Sequence, residues 1–358
     1  MVGAAVTIVL CFPLLSQVAV PGSASQDWTD VLDLIDGGRM MDTVSELEDF
    51  GSRAFNMNTS ERAATYIHGR LGGLGIETSF QNFTFADHSA SNVVAVMPGQ
   101  GTSPKTIVMG AHYDSENMLA TNLSLTQDLS APGADDDASG VAAVIELATI
   151  LAGIDTSDTL KFVAFGAEEL GYDQSGGLRG SHHFVDQEMA AGAVYESAII
   201  LDMIGYRDAI ENRITVVNRN SSDAFAAQAL QAVSAYGLDL SINVKTSQMI
   251  RYSDHASFWD ANYKAVLVTE ELESATAPYP LNPYYHTSDD TSDKLSESQI
   301  IEVTKCIAAV VLDIAGAEDP TAVGTDLSDF AALAAVIGVA IAVPIAFRAG
   351  KSRRRKIP

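Results

Sequence analysis

Short apolar runs alternate with helical segments along the middle of the chain. Five continuous runs have the length and composition of strands that are buried on both faces, at residues 92–97, 106–110, 160–165, 197–203 and 263–269. Apolar residues recur at helical spacing in four other segments, at residues 58–74, 138–151, 222–236 and 297–315. This alternation predicts an α/β fold with a mainly parallel sheet that helices cover on both faces.

An apolar segment without charged side chains opens the chain. It runs into Pro21, Gly22 and Ser23, and the small residues Gly22 and Ala24 have the spacing that a signal peptidase accepts. We therefore expect residues 1–24 to be a signal peptide that is cleaved after Ala24. A basic region before the apolar run is missing, so an uncleaved N-terminal apolar anchor is the alternative.

A second uncharged segment lies near the other end. Residues 330–347 include no charged side chain, and eighteen helical residues span about 27 Å, which is just enough for the hydrocarbon core of a membrane. Asp329 precedes the segment and the basic residues 348–358 follow it. The positive-inside rule therefore predicts a transmembrane helix with a cytoplasmic tail and an extracytoplasmic body. A C-terminal helix packed on the core is the alternative.

Between these ends, residues 27–318 are predicted to form one domain, and residues 319–329 a linker. Six of the 21 basic residues lie in 348–358, which hold no acidic residue, so the rest of the chain carries 15 basic and 46 acidic residues and a net charge of −31. Such an acidic body excludes a protein that binds nucleic acids by neutralising phosphates. With only Cys11 and Cys306, the chain also has no disulfide framework.

Candidate ligands follow the predicted strand at 106–110. His112 and Asp114 are two residues apart, so their side chains lie on the same face of an extended chain. An imidazole that binds a metal needs its second nitrogen held by an acceptor, and a carboxylate in this position can provide one. The pair is a weak signal by itself, because a His and an Asp at a strand end are more often ordinary surface residues.

Three consecutive acids, Asp135, Asp136 and Asp137, precede the predicted helix at 138–151. Adjacent carboxylates repel each other unless a cation gathers them. Acids in a first helical turn also suit the helix dipole, and Asp is a good N-cap. Capping accounts for one of the three residues but hardly for all of them, so the triplet favours a metal site.

Further acids and a histidine follow other elements. Glu168 and Glu169 come after the strand at 160–165, and paired carboxylates at a strand end can serve as one ligand and one general base. Asp202 lies at the end of the fourth run, and His286 lies in a loop before the last helix. Ligands in parallel α/β sheets bind beyond the carboxyl ends of the strands, so we expect these residues to converge.

The ligand types narrow the choice of metal. Imidazole and carboxylate donors without thiolate suit zinc, cobalt or manganese. Two divalent ions about 3.5–4 Å apart, bridged by one carboxylate, need about this number of ligands and a base.

Taken in order, five motifs resemble those of a known family. They read GAHYDS, PGADDDASG, GAEELG, LDM and YHTSDDT. Together they resemble the co-catalytic di-zinc exopeptidases of metallopeptidase family twenty-eight, clan MH, which include aminopeptidase Y and bacterial leucyl aminopeptidases. The resemblance runs from about Ser60 to Ile314. It implies a three-layer α/β/α sandwich with a mixed, mainly parallel sheet.

The resemblance also implies two Zn²⁺ ions, with Co²⁺ or Mn²⁺ as substitutes. His112 and Asp202 would hold one ion. Glu169 and His286 would hold the other, and Asp136 would bridge the two.

The implied reaction is hydrolysis of the N-terminal peptide bond of a peptide. Glu168 would be the general base that takes a proton from a water between the metals, and the resulting hydroxide would attack the carbonyl. Asp114 would be the partner that holds the imidazole of His112.

The chain departs from this family in several places, one of which bears on the site, and two other functions stay open. Some relatives have a Tyr that helps to bind the oxyanion where this chain has Ile250, and Tyr252 is a candidate substitute. A carboxypeptidase or dipeptidase of the same fold would need a cationic pocket, for which Arg179, Arg207 and Arg251 are candidates. A non-catalytic, receptor-like ectodomain is the third possibility, although every ligand and the base are present.

Overall fold

The computed structural model describes residues 26–318, except residue 86 and residues 118–129, 170–176, 208–211, 221–223 and 273–280. The predicted leader at 1–24, linker at 319–329, transmembrane helix at 330–347 and tail at 348–358 lie outside the described residues. Within the described part of the chain, no helix combines the length and the apolar character that a membrane span requires.

The described strands form one mixed sheet. They are β1 (Glu77–Phe85), β2 (His88–Met97), β3 (Thr106–His112), β4 (Thr159–Phe165), β5 (Tyr195–Leu201), β6 (Arg213–Asn218), β7 (Ser241–Thr246) and β8 (Ala265–Thr269). Their order in the sheet is β1-β2-β4-β3-β5-β8-β6-β7. The central strands β4, β3, β5 and β8 are mutually parallel, whereas β2 and β6 pair with this block in antiparallel fashion. The predicted mixed, mainly parallel sheet is confirmed.

Helices occupy most of the intervening segments. They are α1 (Thr29–Leu32), α2 (Gly37–Glu48), α3 (Asn58–Gly73), α4 (Gly140–Leu151), α5 (Arg179–Ala191), α6 (Phe225–Tyr236), α7 (His255–Asp260) and α8 (Glu297–Ile314). The segment Ala134–Ser139 leads into α4 and is kinked, because Asp136 and Asp137 have non-helical backbone angles. Helix α4 begins at Gly140, two residues later than the helical pattern predicted.

The helices cover the sheet on both faces, as predicted. On one face, α2, α4 and α8 bury residues such as Val44, Leu147 and Ile307 in the larger core. On the other, α5 and α7 bury Phe184 and Trp259. The two cores lie on either side of the sheet and give three layers. All twelve residues of α4 are buried, so this helix runs through the interior of the domain.

The five predicted strands lie in the middle of the sheet, and the three missed ones lie at or near its edges. Strands β1 and β7 form the two edges and expose more than half of their residues, so neither has a continuous apolar run. At the centre of the sheet, His112 of β3 pairs with Phe165 of β4, and Gly110 of β3 pairs with Ile200 of β5. The residues that follow β3, β4 and β5 therefore leave the sheet side by side at one edge.

Candidate metal centre

The five predicted metal ligands lie together at this edge of the sheet. The Nε2 atom of His112 is 3.1 Å from Oδ1 of Asp136 and 3.7 Å from Oδ1 of Asp202. The Nε2 atom of His286 is 3.0 Å from Oδ2 of Asp136 and 3.2 Å from Oε1 of Glu169. The carboxylate of Asp136 thus stands between two imidazoles, each of which has a second carboxylate beside it.

We call these two groups the His112 half and the His286 half of the site, with Asp136 shared. The polar atoms of the His286 half are poorly satisfied by the protein itself. Oδ2 of Asp136, Oε1 of Glu169 and Nδ1 of His286 are buried and form no hydrogen bond with the described residues. Burying such groups without a partner is costly, and a cation removes that cost. Imidazole and carboxylate donors without thiolate also fit zinc, cobalt or manganese. The residues present therefore fit a pair of divalent cations.

Burial and the neighbouring imidazoles shift the pKa values of the carboxylates in opposite directions. Burial raises the pKa of Asp136, but the close imidazoles of His112 and His286 outweigh it and leave the pKa below its ordinary value. Burial raises the pKa of Glu169 to about 8, although His286 opposes the shift. In both cases the positive charge of a neighbouring imidazole favours the ionised carboxylate. A bound cation would favour the ionised carboxylates in the same way.

The aspartate triplet divides into three roles, and Asp135 braces a loop. Its Oδ1 accepts the backbone N–H of Gly205 at 2.8 Å, and its Oδ2 accepts the backbone N–H of Tyr206 at 3.3 Å and the side-chain amide of Asn282 at 3.0 Å. Asp135 therefore fixes the segment after Asp202 against the loop that carries His286.

Asp137 combines capping with bracing. Its Oδ1 accepts the backbone N–H groups of Gly140 at 2.9 Å and Met203 at 3.2 Å, and its Oδ2 accepts that of His112 at 3.1 Å. Capping of α4 and a metal site were the alternatives for the triplet, and the structure assigns capping to Asp137 while Asp136 faces the two imidazoles.

Asp114 holds the two glutamates more directly than it holds His112. Its Oδ1 and Oδ2 atoms accept the backbone N–H groups of Glu168 and Glu169, each at 3.1 Å. The Nδ1 atom of His112 lies 3.1 Å from the backbone oxygen of Asp114 and 3.8 Å from Oδ1. The expected partnership with His112 is thus made by the main chain, because the carboxylate is already engaged with the strand end of β4.

Glu168, the predicted base, is buried and lines the same cavity as the ligands. Burial raises its pKa well above the ordinary value, His112 opposes the shift, and Glu169 adds to it. The preceding residue, Ala167, has a positive φ of 57°, so the chain turns sharply where β4 ends. This turn, with the two hydrogen bonds that the carboxylate of Asp114 accepts, sets the direction in which the glutamate pair leaves the sheet.

Two structural residues of the site were missed by the sequence analysis. Asp290 is buried, and its Oδ1 and Oδ2 accept the backbone N–H groups of Asp135 at 2.9 Å and Asp136 at 3.1 Å. Asp290 belongs to the last of the five motifs, so a signal was present, but its contacts were not predictable from its position.

Arg53 is the other missed residue, and it is completely buried. Its guanidinium donates to the backbone oxygens of Tyr113 at 2.8 Å, Gly133 at 2.8 Å and Leu47 at 3.2 Å, and also to that of Pro132. Gly133 has a φ of 57°, and a Cβ there would lie 2.8 Å from the guanidinium, so this close approach requires glycine. Arg53 thereby ties the end of β3 to the turn before the aspartate triplet.

A cavity of about 490 Å³ opens over the ligands. Apolar side chains form much of its remaining wall, namely Leu178, Met203, Ile250, Leu267 and Leu272. Ile250 is fully buried, and the exposed Tyr252 also lines the cavity.

Tyr285, which the sequence analysis did not select, stacks on His286 with ring centroids 3.8 Å apart and lines the same cavity. Burial raises the pKa of its hydroxyl well above the ordinary value, and the charges of Asp136 and Glu169 raise it further. The phenol therefore stays protonated and can donate a hydrogen bond into the cavity.

The three candidate arginines are engaged with the protein. Arg251 lines the cavity, but its Nη2 is 2.5 Å from Oδ1 of Asp260. The guanidinium of Arg207 donates to the side chain of Asn212 at 2.8 Å and lies at a different pocket. Arg179 lies over the ring of Phe85, with 5.7 Å to its centroid.

The sequence of the chain is similar to those of known proteins. Residues 92–311 match the family described as "Peptidase family M28". A "Probable leucine aminopeptidase" of Arthroderma otae is 26% identical over 307 residues, which cover 83% of this chain and 79% of that protein. The "Uncharacterized protein YfbL" of Escherichia coli is 29% identical over 272 residues, which cover 70% of this chain and 79% of that protein.

Solved structures give the same fold. The LapA aminopeptidase of Legionella pneumophila superposes with a TM-score of 0.66 at 22% identity, over 80% of this chain and 74% of that one. BSAP, a zinc aminopeptidase from Bacillus subtilis, superposes with a TM-score of 0.65 at 16% identity, over 78% of this chain and 95% of that one.

Proposed function

Because the chain belongs to peptidase family M28, as its motifs predicted, we propose that it is an aminopeptidase that removes N-terminal residues from peptides with the help of two divalent cations. The observation that carries this proposal is the convergence of two imidazoles and three carboxylates around the shared Asp136. The apolar cavity above these groups supplies room for a substrate.

The cations are proposed to be Zn²⁺, with Co²⁺ or Mn²⁺ as substitutes. His112 and Asp202 would hold one, Glu169 and His286 would hold the other, and Asp136 would contact both. When bound, such ions polarise a carbonyl group and lower the pKa of water.

Glu168 is proposed to move the proton in this reaction. Its carboxylate would accept a proton from the attacking water and deliver it to the leaving amine. The backbone N–H groups of Glu168 and Glu169 donate to the carboxylate of Asp114, which holds the two glutamates side by side, so that one can serve as base while the other stays a ligand.

Tyr285 is proposed to stabilise the oxyanion that develops on the substrate. Its phenol lines the cavity beside His286 and keeps its proton. A preorganised donor at this point stabilises charge that forms only in the transition state. It would take the role for which Tyr252 is the candidate from the sequence.

The charge of the cavity favours an aminopeptidase over a carboxypeptidase. A substrate with a free C-terminal carboxylate needs a cation to receive it, and the arginine that lines this cavity, Arg251, pairs with Asp260. The cavity is otherwise rich in carboxylates, among them Glu116, Glu168 and Glu169, which suit the ammonium group of a free N-terminus.

A variant of the base tests the assignment of roles. We expect the purified chain to hydrolyse a chromogenic leucine substrate and to leave N-acetylated peptides intact. Glu168→Gln should retain two zinc ions by elemental analysis but lose about 10²–10⁴-fold in kcat, because the proton acceptor is gone. Full activity in this variant would reject Glu168 as the base. Cleavage of N-acetylated peptides from their C-terminus would reject the aminopeptidase assignment.

We propose in addition that residues 330–347 anchor the protein in a membrane, with the catalytic domain extracytoplasmic and the basic tail cytoplasmic. The apolar segment and the charge asymmetry around it support this placement. Fractionation of expressing cells is expected to recover the chain with membranes. Recovery of the full chain entirely in the soluble fraction would contradict the anchor.

A further inference from the structure

Asn92 of β2 is a fully buried amide beside the end of β4, the strand that the glutamate pair follows. Its Oδ1 atom accepts the backbone N–H of Gly166 at 3.1 Å. Its Nδ2 atom donates to the backbone oxygen of Gly180 at 2.9 Å and to Oε1 of Gln81 at 2.7 Å. Both amide hydrogens and the amide oxygen are therefore bonded, which fixes the orientation of the side chain.

The two backbone groups that Asn92 binds stand opposite each other in a short ladder. Three backbone N–H groups of residues 177–179 donate to the backbone oxygens of residues 167–169, at 2.8, 2.8 and 2.9 Å. Gly166 and Gly180 form the next pair of this ladder, and the amide of Asn92 lies between them. A Cβ at Gly180 would collide with the backbone oxygen of Gly166 and with Oδ1 of Asn92, so glycine is required there. Asn92 thus closes the ladder that includes the backbone of the glutamate pair.

The end of β4 is held from both of its neighbours in the sheet. Strand β4 lies between β2 and β3. Asp114, which follows β3, accepts the backbone N–H groups of Glu168 and Glu169. Asn92, on β2, binds the N–H of Gly166, the residue before the strained Ala167. Each neighbouring strand therefore supplies one buried polar side chain that sets the path of the chain into the glutamate pair.

We propose that Asn92 is a positioning residue, which directs Glu168 and Glu169 into the site through the backbone that leads to them. The inference rests on the proposed roles of these two glutamates and adds the group that holds them from the side of β2. Without the amide, the N–H of Gly166 and the oxygen of Gly180 lose the partner that ties them together. Because Glu169 belongs to the His286 half, that half should lose cation affinity while the His112 half keeps it.

Two measurements on Asn92→Ala test this role. In zinc titrations of the metal-free chain against a chromophoric chelator, one of the two affinities should fall at least about tenfold while the other stays unchanged. At saturating zinc, kcat should fall about 10–100-fold with little change in KM, because a misplacement of about 1 Å at a catalytic group has effects of this size. Wild-type values of the affinities or of kcat would overturn the proposal, and so would an equal loss of both affinities.

Asn212→Ala is the matched control for a merely structural effect. Asn212 is also buried, and its amide also makes three hydrogen bonds, with Arg207, Asp239 and Ser298, none of which lines the cavity. Urea titrations should show that both variants lose stability, but only Asn92→Ala should change a zinc affinity and kcat. Equal changes of these two quantities in both variants would assign the effect to general destabilisation and overturn the proposal.

Gln81→Ala separates the three hydrogen bonds of Asn92. It removes the partner on β1 and keeps the bonds to Gly166 and Gly180. Zinc affinities and kcat should equal those of the wild-type chain, and a loss as large as that in Asn92→Ala would overturn the proposal. If Asn92→Ala does not fold, Asn92→Asp keeps an acceptor for Gly166 but has no donor for Gly180. It should lower the same zinc affinity, and wild-type affinities in this variant would overturn the proposal.

The zinc titration does not depend on catalysis, so the role of Asn92 and the proposed function can fail separately. A wild-type chain that binds two ions but cleaves no N-terminal bond would refute the proposed function. The role of Asn92 would then stand if Asn92→Ala lowers one affinity alone. An active wild-type chain whose Asn92→Ala variant behaves like Asn212→Ala would refute the role of Asn92 alone.

Discussion

The two halves of the site are held in place by different kinds of structure. In the His112 half, the histidine ends β3, its backbone N–H is bound by Asp137, and its Nδ1 lies 3.1 Å from a backbone oxygen. In the His286 half, the histidine lies in a loop with a positive φ of 55°, and its Nδ1 has no hydrogen bond with the described residues. One half is an extension of the sheet, whereas the other is a loop that side chains attach to it.

Two side chains of the loop, one before His286 and one after it, make this attachment. Asn282 donates to Asp135, and the carboxylate of Asp290 accepts the backbone N–H groups of Asp135 and Asp136. The loop is therefore fastened to the aspartate triplet before and after His286. The triplet therefore joins a half that is built on the sheet to a half that is built on a loop.

The largest effect is expected where the halves meet. Asp136→Asn removes the charge that both imidazoles contact and weakens the site on both sides. We expect fewer than two zinc ions per chain by elemental analysis and a loss of several orders of magnitude in kcat/KM. Asp49→Asn, an exposed substitution beside α2, is the control and should leave both values unchanged. Two tightly bound ions in Asp136→Asn would contradict a shared carboxylate.

Support of the His112 half depends on Arg53. In Arg53→Met, four backbone oxygens lose a donor, but those of Leu47 and Gly133 keep a backbone N–H. Each oxygen left unpaired costs about 1 kcal/mol or more, so the free energy of unfolding should fall by at least about 2 kcal/mol in urea titrations. Arg53→Lys keeps the charge but can serve fewer carbonyls, and should recover only part of the loss. Full recovery by lysine would show that charge, not the hydrogen bonds, gives Arg53 its effect.

The smallest of these effects is expected in the His286 half. Tyr285→Phe removes one hydroxyl and leaves the ring stacked on His286. We expect kcat to fall by about a hundredfold with little change in KM, because the donor acts on charge that develops after substrate binding. Zinc content should not change. Tyr252→Phe is the comparison variant, and a larger loss there than in Tyr285→Phe would return the oxyanion role to Tyr252.

Much of the site was predictable because parallel strands deliver their following residues to one edge. His112, the glutamate pair and Asp202 follow β3, β4 and β5, which are neighbours in the sheet, so reading the strand ends was sufficient to group them. His286 follows no strand directly, and only its motif connected it with the others. The mixed sheet was predicted in outline, but its edges β1 and β7 lack the apolar continuity that reveals central strands.

Arg53 and Asp290 could not be predicted for the same physical reason, which is that their partners are distant in the sequence. Arg53 is 60 residues from the carbonyl of Tyr113 that it binds, and Asp290 is 155 residues from the backbone of Asp135. Neither has a local pattern, because an arginine or aspartate in a polar segment is ordinarily exposed. The role of Asp114 also differed in detail, since the sequence could not reveal that the backbone of the glutamate pair comes within reach of its carboxylate.

The complete burial of α4 has a further consequence for how the protein loses its structure. The aspartate triplet stands at the amino end of this helix, and all twelve of its residues are inside the domain. Both ends of a helix enclosed in this way are shielded from solvent. Its amide hydrogens should therefore exchange with solvent only when the whole domain unfolds. Disassembly of the aspartate triplet is then tied to global unfolding, and its geometry lasts as long as the folded state itself.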